Sequence, residues 1–144
     1  MIRGMTIAAV LLGAAILAFA VWVRLAPSET AVWHVAPGAK GQWDIVQALT
    51  GAASLRLSAA KGAPADLLAR LDALALATPR TTRLAGTVAE GRITWVTRSA
   101  LWGFPDYTTA EARADGLYIE ARQRFGREDM GVNAARLQDW LLRL

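Results

Sequence analysis

The sequence predicts an α+β fold. An N-terminal transmembrane helix precedes a small β-α-β-β-β-β-α domain, an antiparallel sheet with its helices packed on one face. Three observations lead there. Residues 4–23 form an unbroken run of 20 uncharged residues. Two stretches of alternating apolar residues each fold back at a Gly-containing dipeptide, Glu90-Gly91 and Asp115-Gly116. Segments with apolar residues at helical spacing lie before the first hairpin and at the C-terminus.

The chain has 144 residues, 54% of them hydrophobic, a length that suits one ordinary domain. The hydrophobicity is uneven: 19 of residues 1–23 are apolar, which leaves about half of the remainder apolar, as in a globular domain. A helix over residues 4–23 is about 30 Å long, the thickness of the bilayer hydrocarbon. Nine of its residues are Ile, Leu, Val or Phe, favouring insertion by about 3–5 kcal/mol. A cleaved signal peptide is the rival, with an apolar core over residues 5–17 and Ala18-Phe19-Ala20 as the cleavage site. Val21-Trp22-Val23 extends the run past that site and only Arg3 precedes it, so an uncleaved anchor is expected.

Arg3 and the α-amino group nearly balance Arg24 and Lys40 across the span. A short N-terminal tail before a long apolar run acts as an export signal. The expectation is a single pass through the inner (cytoplasmic) membrane of a bacterial cell envelope, with the domain periplasmic. The chain divides into an anchor over 1–23, a juxtamembrane linker over 24–43 and an α+β domain over 44–144. Pro27, Pro37, Gly38 and Gly41 make the linker irregular. Trp33 and Trp43 within it are expected to pack on the domain.

In the domain, Ser54-Leu55-Arg56-Leu57-Ser58 alternates as a strand. Pro64 opens a helix with Leu67, Leu68, Leu71, Leu74 and Ala75 on one face, and Thr78-Pro79 stops it. A two-residue loop at Glu90-Gly91 pairs Val88 with Ile93 and Gly86 with Trp95. A two-residue loop at Asp115-Gly116 pairs Ala112 with Ile119 and sets Glu111 opposite Glu120. The last helix begins near Asn133, read as its cap, and carries Leu137, Trp140, Leu141 and Leu144 on one stripe.

Composition closes several routes to chemistry. There is no Cys, and His34 is the one histidine. Disulfide scaffolds, Cys-based metal sites and a Ser-His-Asp triad therefore lack their parts, and no cofactor is expected. Gly126 and Gly131 have the spacing of a phosphate-loop pair, but Val132-Asn133 follows in place of Lys-Ser/Thr. The net charge of +4 comes from basic residues interleaved with acids, which argues against a nucleic-acid stripe.

Two polar stretches remain, Trp102-Gly103-Phe104-Pro105-Asp106 and residues 122–133. Through Phe104, Pro105, Asp106, Arg124, Gly126, Asp129, Gly131, Asn133 and Arg136, the stretch from about 78 to 144 resembles domain of unknown function family 1499. That family comprises small bacterial and plastid proteins, often preceded by a leader or membrane span. Two family serines correspond here to Ala121 and Gln123. The resemblance implies the domain and no reaction.

Two readings of the motif stand beside each other. In the structural one, Asp129 or Asn133 caps the last helix, Arg124 or Arg136 pairs with Asp106 or Asp129, and the glycines supply unusual backbone angles. In the other, free helix N–H groups with Arg122, Arg124 and Arg127 receive a small anion. The functional expectation is a non-catalytic binding or structural domain, its partner a protein or a small anionic ligand. The alternative is a small hydrolase- or lyase-like envelope enzyme using Asp106 and Asp129 as acid and base, with Arg124 as anion clamp.

Overall fold

The computed structural model describes residues 2–38 and 41–144. Lys40, counted above in the charge balance, lies outside them, as do Met1 with its α-amino group and the Arg3 side chain. The first helix, α1, covers Ile2–Leu25. Its stretch Gly4–Leu25 is long and apolar enough to cross a membrane, a character that a signal sequence shares.

A one-turn helix α2 (Thr30–Trp33) follows, then strands β1 (Gln47–Leu49) and β2 (Ala52–Ser58), helix α3 (Pro64–Ala77), strands β3 (Thr81–Thr87), β4 (Arg92–Arg98), β5 (Pro105–Arg113) and β6 (Gly116–Gln123), and helix α4 (Val132–Arg143). The strands form one antiparallel sheet in the order β1-β2-β6-β5-β4-β3. The α+β class stands, with six strands where five were expected. The added strand β1 is three residues long and mostly exposed, too short to show alternation.

Helices α3 and α4 cover one face. Leu67, Leu68, Leu71 and Ala75 of α3 meet Leu137 and Trp140 of α4 over Leu55, Leu57, Ile93, Trp95, Leu117 and Ile119 of the sheet. Trp95 and Trp140 meet edge-to-face, with ring centroids 6.2 Å apart. Each apolar side chain fully buried there contributes about 1.5–3 kcal/mol. Pro64 stands in the first turn of α3 and Thr78 ends it. The Thr78 hydroxyl accepts a bond from Trp140 Nε1 at 3.0 Å, tying the two helices together. Asp72 interrupts the apolar face of α3; it accepts the Trp95 Nε1–H bond at 2.9 Å and pairs with Arg83.

The opposite face is covered by residues 26–38 and 41–43. They are largely irregular, as their Pro and Gly content predicts, yet they form a packed strap. Trp33 stacks on Tyr107 with ring centroids 3.8 Å apart and planes 10° from parallel. Ser28 Oγ shares a 2.7 Å bond with Tyr107 Oη, and the Pro37 carbonyl accepts from Arg113. Trp43 meets Tyr118 edge-on and lies under Arg56. Tyr107 is fully buried as a result.

Both predicted hairpin registers are corrected. The first turn spans residues 88–91, not two residues, and is closed by Gly91 N–H to the Val88 carbonyl. Thr87 Oγ1 accepts the Glu90 N–H and secures the longer loop. Gly86 consequently faces Ile93, Arg83 faces Trp95, and a bulge between Arg83 and Ala85 absorbs the offset. The second loop is Ala114-Asp115, so Ala112 faces Leu117, and Glu111 faces Tyr118 instead of Glu120. Gly116 lies inside β6, where a side chain would collide with the Leu57 carbonyl of β2 and the Trp43 ring. Its glycine is demanded by this close approach and not by the turn.

That assignment gives a first prediction. Gly116→Ala lowers stability by roughly 1–3 kcal/mol, the cost of over-packing a filled site. Thermal unfolding of the full chain in detergent checks it, and an unchanged midpoint would place Gly116 back in an open turn.

Candidate functional site

Strand alternation decides what the motif residues can do together. Along β5, Thr108 and Ala110 point to the helix face, and so does Asp106; Tyr107, Thr109 and Glu111 point to the strap. The motif divides accordingly into two groups on opposite sides of the sheet.

On the helix side, Arg136 of α4 reaches Asp106 at 3.2 Å and donates to Asn133 Oδ1 at 2.8 Å. The Arg136 side chain is only 9% exposed, so removing its partner would strand a charge in the interior. Burial pushes the Asp106 carboxyl above its ordinary value, and the Arg136 charge and hydrogen bond offset only part of that push. Asp129 sits just before α4 and accepts N–H bonds from Gly131 at 3.1 Å and Asn133 at 2.9 Å. Burial acts to raise the Asp129 carboxyl, but these N–H bonds outweigh it and hold the group below its ordinary value. The helix cap is therefore Asp129. Asn133, expected in that role, lies fully buried inside the first turn. Gly126 and Gly131 both take positive φ, at 94° and 78°, which lets the chain reverse between β6 and α4.

On the strap side, Arg124 donates to the Pro27 carbonyl at 2.8 Å and to Tyr107 Oη at 3.3 Å. Arg122 donates to the Trp33 carbonyl and lies over the Trp33 ring. Arg127 is exposed on the turn. Phe104 and Pro105 hold the entry to β5, Pro105 buried opposite Arg98 and Phe104 within an aromatic cluster. Arg124 thus does not join Asp106 and Asp129: the two carboxylates lie on the helix side, where the Asp129 charge adds to the upward push on Asp106, one is bound to Arg136 and the other to the start of α4, and the arginine lies across the sheet. Of the helix N–H groups read as an anion receptor, those of Val132 and Asn133 are engaged by Asp129.

A second polar site was not assembled by sequence reasoning. Thr109 Oγ1 donates to the Trp33 carbonyl at 3.2 Å and shares a 2.8 Å bond with Thr94 Oγ1, which shares another 2.8 Å bond with His34 Nδ1. Each hydroxyl has one proton. Thr109 gives its proton to the carbonyl, so Thr94 gives its own to Thr109, and His34 must donate from Nδ1. The bond order thus has His34 donate from Nδ1. His34 lines an open cleft of about 540 Å³ with Gly86, Arg92 and Glu111. Burial acts to raise the Glu111 carboxyl, but hydrogen bonds from Arg113 and Arg92 outweigh it and hold it below its ordinary value. Nothing in the local sequence around His34 points to Thr94 and Thr109, 60 and 75 residues onward; only the path of the strap joins them.

Among the described residues no cluster of three or more His, Asp or Glu is placed to hold a metal ion. The family model described as protein of unknown function (DUF1499) matches residues 44–144. The match reaches well beyond the 78–144 resemblance: it takes in helix α3 and, before it, β1 and β2. No curated protein and no solved structure matches the chain.

The capping role of Asp129 carries a pH signature. Asp129→Ala costs about 1 kcal/mol near neutral pH. Because folding depresses this carboxyl below 3.8, its contribution is complete above that value and is lost as pH falls through the folded value. Asp106 has the opposite sign, since its raised value favours the fold while protonated and ceases to as pH rises through it. Urea unfolding in the neutral range and below the ordinary carboxylate value should show the gap between wild type and Asp129→Ala closing on acidification. A gap independent of pH would remove Asp129 from the cap.

Proposed function

The chain belongs to the DUF1499 family, proteins of unknown function, and from that premise we propose that it is a membrane-anchored envelope protein carrying a non-catalytic binding or structural domain. In this reading α1 is an uncleaved single-pass anchor in the inner (cytoplasmic) membrane of a bacterium, with the domain on the periplasmic side. The observation that carries it is the use made of the motif. Arg124 binds the segment that leaves the anchor, through the Pro27 carbonyl. Asp106, Asn133 and Arg136 bind the last helix to the sheet, and Asp129 caps that helix. Charged groups so engaged hold a shape and leave no free acid and base beside a common pocket. Because Asp129 occupies the Val132 and Asn133 N–H groups of α4, a small anion would have to displace it from them. A protein partner is therefore favoured over an anionic ligand, and nucleic acid is not expected.

Retention of the leader is supported by Phe19, whose ring lies 6.4 Å from that of Trp102 and 6.2 Å from that of Phe104. Cleavage after Ala20 would remove those contacts.

Two measurements test the proposal. Arg124→Ala lowers thermal stability by about 1.5–3 kcal/mol, the scale for a hydrogen bond from a charged group; a variant of full stability that still loses a cellular phenotype would make the motif functional instead. A reporter fused after Leu144 should be active only outside the cytoplasm, and activity confined to the cytoplasm would reverse the topology.

A further inference from the structure

The end of the sheet from which α1 emerges differs from the other end. The exit of β4, the entry of β5 and the exit of β6 lie together there. The turns at residues 88–91 and 114–115 lie at the far end, a strand length away. At the near end the loop after β4 and the turn after β6 present Leu101, Trp102, Phe104 and Phe125. Trp102, Phe104 and Phe125 pack on α1 itself. Besides the Phe19 contacts, Trp22 meets Phe125 with ring centroids 5.5 Å apart, and Phe104 meets Phe125 at 5.8 Å. Arg24 Nη2 donates to the Leu101 carbonyl at 2.8 Å, closing the loop onto the helix. Leu101 remains 76% exposed, Leu25 76% and Trp22 55%.

The depth of these contacts follows from helix geometry. Phe19 lies six residues before Leu25, about 9 Å down the axis at 1.5 Å per residue. Each interfacial zone of a bilayer is about 5–8 Å thick. Even with Leu25 at the outer rim of the headgroups, Phe19 reaches the edge of the hydrocarbon, and the domain residues touching it lie within the interface. Trp and Phe beside Leu are the side chains that this zone accepts. Arg24, Arg98, Arg124 and Arg127 surround the same end, and among the described residues none has a carboxylate partner. Arg24, Arg98 and Arg124 are held by backbone carbonyls, which leaves their charge available to anionic headgroups at about 1 kcal/mol per cation.

We propose that this aromatic lip is a second membrane contact: Leu101, Trp102, Phe104 and Phe125 dip into the same leaflet from which α1 emerges, and the four arginines face its anionic lipid headgroups. The domain then rests on the bilayer in a fixed orientation, with the His34 cleft turned away from it. The proposal rests on α1 being a retained anchor and adds the docking of the domain to it.

The absence of Cys makes the test direct, since single cysteines can be labelled in the full chain. Nitroxides are attached to Leu12→Cys in the span, Leu101→Cys on the lip and Glu90→Cys on the far turn, all exposed positions. The proteins are placed in nanodiscs of phosphatidylcholine with phosphatidylglycerol. Collision with oxygen and with a water-soluble nickel chelate then reads depth. The expected oxygen-to-nickel ratio is highest at Leu12, and at Leu101 several-fold above that at Glu90. A ratio at Leu101 equal to that at Glu90, with Leu12 still lipid-like, overturns the docked lip alone. A water-like ratio at Leu12 as well overturns the anchor and the lip together.

Discussion

A sheet whose two faces both carry buried side chains must be covered twice, and in this chain only one of the covers is helical. Helices α3 and α4 close one face over Trp95 and its neighbours. The other has Tyr107, Thr94, Thr109 and Tyr118 at its centre, and it is covered by the described residues between α1 and β1. The stack of Trp33 on Tyr107 is the interaction on which that cover depends. It excludes water from the Thr94–Thr109 pair and sets the Trp33 carbonyl where both Thr109 and Arg122 reach it. A buried hydroxyl without such partners costs roughly 1–3 kcal/mol. The aromatic stack and the polar chain beneath it therefore stand or fall together.

The same two-faced construction explains why the recurring polar residues do not form a reaction centre. Adjacent residues of a strand point to opposite sides, so Asp106 and Tyr107 belong to different halves of the protein. Asp106 with Arg136 locks the helical cover, and Tyr107 with Arg124 locks the strap. One stretch of β5 thus fastens both layers, and the strap leads straight back to the end of α1. Helix α1, strap, sheet and last helix are joined through a few neighbouring residues.

Much of this was legible in the sequence because it rests on periodicity. The 20-residue run of 4–23, the Leu67–Ala75 face and the Leu137–Trp140 stripe each repeat with the period of their element. Pro64 and Thr78-Pro79 mark the bounds of α3 by local sterics alone. Register was less legible. Gly116 reads as a turn residue because Asp-Gly favours tight turns, yet its glycine answers to the Leu57 carbonyl of a strand nearly 60 residues earlier. Glu90-Gly91 reads as a two-residue loop because the help that Thr87 gives to a longer one cannot be seen in an alternation pattern. In the motif, the types Asp, Asn, Arg and Gly suit capping and pairing chemistry, but which residue bonds which depends on the side of the sheet each faces. Asn133 is a good cap by type; Asp129 lies where the N–H groups point. His34 stayed chemically silent because its partners are brought to it by the strap, whose irregular backbone has no period to read.

The central claim is that residues 26–38 and 41–43 form the second cover of the sheet and are no passive tether. Native-state hydrogen exchange on the full chain, with Trp33→Ala compared against wild type, tests it most directly. Loss of the stack should raise exchange across β4, β5 and β6 as well as in the strap, because the face centred on Tyr107 is then open to water. Faster exchange confined to the strap, with the central strands protected as before, would show that the sheet stands without it and would contradict the account.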